Sequence, residues 1–244
     1  MSRNNGDQVN YAWQSVVSPA RNNLALCCGL AGYLLVPPLL FALFPGCGIA
    51  VKLFLPSLLG IAAVTAVLSG GDSPAQLPKK AGLGRMRWRA TGFTTAFMLP
   101  LTIAVGVTTS CFQLLLKKFG IDFAERQPLL EFAAQADATT LVLVVLAVCV
   151  LVPIAEELLF RRAMFGALLP LGETPALIFT ALIFALCHGF LLGLPGLFLL
   201  GAGFQYLYRR YQNLAYPLLA HAFFNFIPIC AVLLSISSGG QPPG

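Results

Sequence analysis

Residues 140–169 read TLVLVVLAVCVLVPIAEELLFRRAMFGALL, and this stretch decides the fold. It carries no charge until Glu156, and at 1.5 Å per residue it is about 45 Å long as a helix. The hydrocarbon core of a bilayer is about 30 Å thick. The rest of the 244-residue chain agrees, with 58% hydrophobic and only 10% charged residues. Ordinary soluble domains carry about 25% charged residues. No soluble interior hides so much apolar surface, so lipid is the solvent for most of this chain. The expected fold is all-α, a polytopic transmembrane helical bundle.

Runs of about 20 apolar residues mark the spans. Seven are expected, within a range of six to eight, at 24–44, 49–68, 90–116, 140–169, 175–192, 195–208 and 214–235. The sixth is short for a spanning helix. Pro45-Gly46, Gly70-Gly71, Thr174 as an N-cap before Pro175, and Pro195 punctuate them. The domain plan is a polar tail over 1–22, one membrane domain over 23–238 with its core in 140–235, and a Gly/Pro tail over 239–244. The first span is expected to remain uncleaved.

Lys/Arg bias sets the orientation. Segment 69–89 holds Lys79, Lys80, Arg85, Arg87 and Arg89 against Asp72, which places it and the N-terminal tail in the cytoplasm. Segment 117–139 faces outward, and Arg209 with Arg210 returns inside. The net charge of +6 therefore reflects topology and anionic headgroups, and no nucleic acid is expected as a partner. The seven cysteines show no metal-binding spacing and read as small buried hydrophobes. The compact chain suggests a prokaryotic cytoplasmic membrane.

The chemistry lies in the second half. After Thr139 there is no lysine or aspartate, and only three glutamates. Glu156 and Glu157 sit inside an apolar run, where each costs roughly 2.5–3.5 kcal/mol to insert. Both histidines of the chain, His188 and His221, also lie in apolar stretches. Glu157 and Arg161 are i,i+4 and share a face, while Glu156 points about 100° away and is free to accept a proton. His221 and Asn225 are likewise i,i+4, and Phe184 shares a face with His188. Pro153 removes a backbone hydrogen bond and kinks the helix near the site.

The segment Glu156-Glu157-Leu158-Leu159-Phe160-Arg161 resembles the Glu-Glu-x-x-x-Arg motif of the CAAX protease and bacteriocin-processing family of intramembrane proteases, which includes type II CAAX prenyl endopeptidases. Phe184 through His188 is similar to that family's Phe-x-x-x-His motif, and His221 through Asn225 to its His-x-x-x-Asn motif. Each pattern alone is weak. Their order, on three successive apolar elements in a chain with two histidines, is specific.

The resemblance implies a glutamate-dependent endopeptidase without a cofactor, acting on a membrane-associated protein or peptide. Glu156 with His188 would activate a water, His221 and Asn225 would stabilise the oxyanion, and Glu157 with Arg161 would organise the site. Glu156 and His188 reach one depth, each about 21 Å from the cytoplasmic end, only if the fourth helix continues past Arg162 to residue 169. The wet entrance is then expected on the cytoplasmic side.

Other readings stay open at this stage. Glu156, His188 and His221 could form a zinc site with an open position, although no His-Glu-x-x-His is present. Glu156 and Glu157 could be a structural cluster with Arg161 and Arg162, and Asn225 interhelical glue, in a non-catalytic immunity or binding protein. A proton-coupled transporter predicts repeated halves, and the sequence holds no repeat. The sequence selects neither a substrate nor an oligomeric state.

Overall fold

The computed structural model describes residues 17–44, 46, 48–70, 74–121 and 136–237. Most of the expected polar tail, most of connection 117–139 and the whole 239–244 tail lie outside the described residues. The described residues are helical, without strands. The elements are α1 (Pro19–Leu43), α2 (Ile49–Ser69), a short α3 (Leu77–Lys80), α4 (Trp88–Lys118), α5 (Ala138–Leu171), α6 (Glu173–Cys187), α7 (Leu194–Tyr211) and α8 (Ala215–Ser237).

Each of the seven expected spans meets one apolar helix. By length and hydropathy, α1, α4, α5 and α7 are long and apolar enough to cross a bilayer, and α2, α6 and α8 carry shorter apolar stretches. The chain is therefore a multi-pass helical membrane protein. Two boundaries differ from expectation. The fifth span stops at Cys187 instead of 192, because Gly189 follows with φ +63°, a left-handed conformation that ends helices. The sixth gains those residues, and α7 with its leading turn covers Leu191–Tyr211. Thr174 is not an N-cap, since α6 already begins at Glu173 behind Gly172.

α5 occupies the centre. Residues 155–165 are buried without a break, as expected of a helix packed on every side. α1 and α2 pack together and onto α5, α7 lies between α4 and α6, and α8 closes against α4, α5 and α7. The two basic connections meet at one end of the bundle. There Asn213 Oδ1 accepts from Gly84 N at 3.0 Å, and Tyr216 Oη accepts from Arg87 N at 2.8 Å.

Arg162 is fully buried at that side of α5. Its Nε donates to Lys80 O at 2.6 Å, and Nη1 donates to Asn22 Oδ1. Asn22 Nδ2 in turn donates to Ala163 O at 2.8 Å, so a polar knot joins α1, α3 and α5. Helix α5 does continue past Arg162, and the arginine is bonded inside the protein through Nε and Nη1.

Candidate active site

Two widened turns with i to i+5 bonding, Ala147–Leu151 and Leu158–Met164, interrupt α5 on either side of the glutamates. Such turns frequently mark functional sites. The first has a local cause. Val152 N bonds Ala147 O, five residues back, and the next such donor would be Pro153, which has no N–H. The carbonyl left over is that of Val148, and Asn225 Nδ2 on α8 donates to it at 2.8 Å. One Nδ2 hydrogen of Asn225 is thereby committed to the backbone beside the site.

Glu157, Arg161 and His221 form one buried unit. Arg161 Nε lies 3.1 Å from Glu157 Oε2, with both side chains fully buried. This contact is an ion pair whose angle falls outside hydrogen-bond limits. The other oxygen, Glu157 Oε1, is 2.9 Å from His221 Nδ1. A carboxylate accepts only, so Nδ1 carries the proton. The guanidinium is caged by rings, 4.5 Å from the centroid of Phe184 and 5.5 Å from that of Phe204. Phe204 also stacks on His221 at 4.8 Å.

Glu156 faces away from that pair, as its helical phase requires. Its Oε1 accepts from Tyr33 Oη on α1 at 2.6 Å. Its Oε2 lies 3.9 Å from His188 Nε2 and 3.7 Å from His221 Nε2, and has no hydrogen-bond partner in the protein. His188, the residue after α6, places Nδ1 2.7 Å from Phe184 O. A carbonyl only accepts, so this nitrogen too carries the proton, and Nε2 is turned towards the glutamate. Phe184 forms the expected wall beside it, at 4.6 Å between ring centres.

Three polar atoms thus converge: Glu156 Oε2 and two imidazole Nε2 atoms. Separations of 3.7–3.9 Å are too long for direct hydrogen bonds and suit a single bridging water. His188 retains 26% side-chain exposure against 4% for Glu156, so the approach is from the His188 side. A cavity of about 410 Å³ reaches Glu156 from between α1 and α2, lined by Tyr33, Pro37, Pro56, Gly60, Glu156 and Cys187 among others. Its lining comes from the middle of α1 and α2, from α5 and from the end of α6. Among the described residues no set of three or more His, Cys, Asp or Glu is spaced to hold a metal ion.

The structure brings Glu156, Glu157, Arg161, His188 and His221 into one cluster, with Asn225 bonded to the α5 backbone one turn beyond His221. Sequence reasoning missed Tyr33. It lies in a helix without charged or histidine residues beyond its first turns, and a tyrosine in such a run reads as an interfacial aromatic. The available signal was its mid-helix position, where a phenol O–H needs a partner.

Bundle and cluster together define a multi-pass membrane protein with a buried carboxylate–imidazole centre. Residues 138–227 match the family model described as type II CAAX prenyl endopeptidase, Rce1-like. The match includes all six motif residues and excludes Tyr33. No curated protein and no solved structure matches the chain.

Proposed function

We propose that the protein is a glutamate-dependent intramembrane endopeptidase that hydrolyses a peptide bond of a membrane-associated protein or peptide. The observation that carries this reading is the convergence of Glu156 Oε2 with His188 Nε2 and His221 Nε2. A water between them gives one proton to Glu156 and attacks the scissile carbonyl, while His188 Nε2 orients it. Glu156 then returns the proton to the leaving amine, as reversibility of general acid–base catalysis requires. His221, supported by Glu157 on Nδ1, supplies Nε2–H to the oxyanion in its protonated form. Asn225 has a second Nδ2 hydrogen for the same purpose. Such donors are worth about 2.7–4 kcal/mol each in the transition state.

The test compares C-termini of membrane proteins in cells carrying the wild-type protein and Glu156→Gln. Termini trimmed by the wild type are expected to persist uncut with the variant, at equal membrane levels of both proteins. Identical termini would overturn the protease reading in favour of a non-catalytic binding protein. Loss of cleavage with a chelator, restored by zinc, would replace the water-activating glutamate with a metal centre.

A further inference from the structure

The shortest polar contact of the catalytic carboxylate comes from outside the matched region. Tyr33 lies in the middle of α1, and its 2.6 Å bond to Glu156 Oε1 falls in the range of charge-assisted O–H···O⁻ bonds. The ring is fixed by packing. It meets Phe160 edge-on at 5.9 Å, Phe160 meets Phe184 at 5.2 Å, and Phe184 meets His188 at 4.6 Å. One aromatic column therefore seats both the phenol and an imidazole of the site.

A carboxylate turns about its terminal bond with a broad, roughly two-fold preference. Glu156 Oε2 has no protein partner and stands 3.7 Å from His221 Nε2. Left free, it would close by less than 1 Å onto that nitrogen, make a direct ionic hydrogen bond and fill the place of the water. Among the described residues it is the Tyr33 O–H that opposes this, by holding the other oxygen.

We propose that Tyr33 is a positioning residue for hydrolysis: it pins Glu156 Oε1 so that Oε2 stays one water's width from His188 and His221. This inference rests on the reading of Glu156 as the water-activating base. It extends the working site to α1, which the family match does not cover. It also explains why position 33 carries a tyrosine, since phenylalanine would keep the ring contacts and lose the pin.

The experiment uses the full-length protein in lipid nanodiscs, with a peptide taken from a terminus that the wild type trims and E156Q does not. Tyr33→Phe is expected to lower kcat by on the order of 10- to 100-fold, the value of one hydrogen bond to a charged group, with KM within about twofold. The carboxylate infrared band, isolated as the difference between each background and its E156Q counterpart, is expected to shift when Tyr33 is replaced. Should Y33F fail to fold, 3-fluorotyrosine at position 33 keeps shape and O–H but alters donor strength, and kcat is expected to change with it.

An unchanged kcat in the folded variants, or an effect on KM alone, overturns the proposal and leaves Tyr33 a wall of the cavity. In that outcome E156Q remains inactive and the protease reading stands. If E156Q itself trims the termini, the protease reading falls and this inference falls with it.

Discussion

Glu157 and Arg161 are fully buried partners, and removing either leaves the other charge uncompensated. The cost of breaking such a pair is about 3–5 kcal/mol. Glu157→Leu sits at the upper end, because it strands the guanidinium inside its cage of rings and also takes the acceptor from His221 Nδ1. Arg161→Met sits at the lower end, since Glu157 keeps the imidazole N–H. Independent effects would sum to about 6–10 kcal/mol. The double variant E157L/R161M instead leaves an apolar pair of similar volume, which such replacements tolerate with little loss. It is therefore expected to be more stable than either single variant, with a coupling of about 3 kcal/mol or more, far beyond the roughly 0.5 kcal/mol error of additivity. Equilibrium unfolding in mixed micelles of the four proteins measures it directly. Activity separates from stability in the same series. His221 has no acceptor for Nδ1 in the double variant, and loss of a fixed tautomer costs about 10⁴-fold in the Ser-His-Asp triad. Additive single effects would refute the buried pair, and full activity in the stable double variant would refute the role of Glu157 on His221.

Two glycines facing α1–α2 packing are expected to behave oppositely. A Cβ at Gly29 would come within 2.8 Å of Leu159 Cδ1 and Val64 Cγ2, whereas one at Gly60 meets nothing within 4 Å. Gly29→Val is thus expected to cost about 1–3 kcal/mol by overpacking in thermal unfolding, while Gly60→Val leaves stability unchanged, narrows the cavity and raises KM. The Asp137 carboxyl caps α5, accepting from Thr140 N and Thr140 Oγ1, and these bonds, the backbone one first, hold its pKa below the ordinary value. Its contribution is present above the unfolded value, near 4, and is lost as the pH falls through the folded one. The difference in melting temperature between wild type and Asp137→Ala is therefore expected at neutral pH and to vanish in strong acid.

The second half of the chain was legible because charge is costly in lipid, so every ionisable residue kept there carries information. Glu157–Arg161 followed from helical phase, and the run of α5 past Arg162 followed from the need to bring Glu156 and His188 to one depth. Helix ends were less legible. Apolar residues continue through Gly189, and only the backbone conformation there shows that α6 stops and α7 begins. The widened turn before Pro153 was half visible. A missing N–H was certain from the sequence, but that Asn225 would serve the orphaned Val148 carbonyl depends on how α8 packs. Partnership across helices has no periodicity to reveal it.

The first half hid its contribution for a physical reason that the packing of α1 now exposes. In lipid, burial of apolar surface does little to fix the register of one helix on another, and small or polar residues do that work. Along the seam between α1 and α5, Asn22 meets Ala163, Gly29 lies close to Leu159, and Tyr33 meets Glu156. As the number rises along α1 it falls along α5, so the helices are antiparallel in one continuous register. Asn22, Gly29 and Tyr33 are spaced i, i+7 and i+11, which puts them within about 40° of one stripe of the helix. A polar pin stands at each end and a close approach between them. The register that lets Asn22 meet the knot at Arg162 is the same one that delivers the Tyr33 O–H to Glu156. Fold and site are therefore not separable here, because a helix that carries none of the motif residues is held in place by its contact with Glu156.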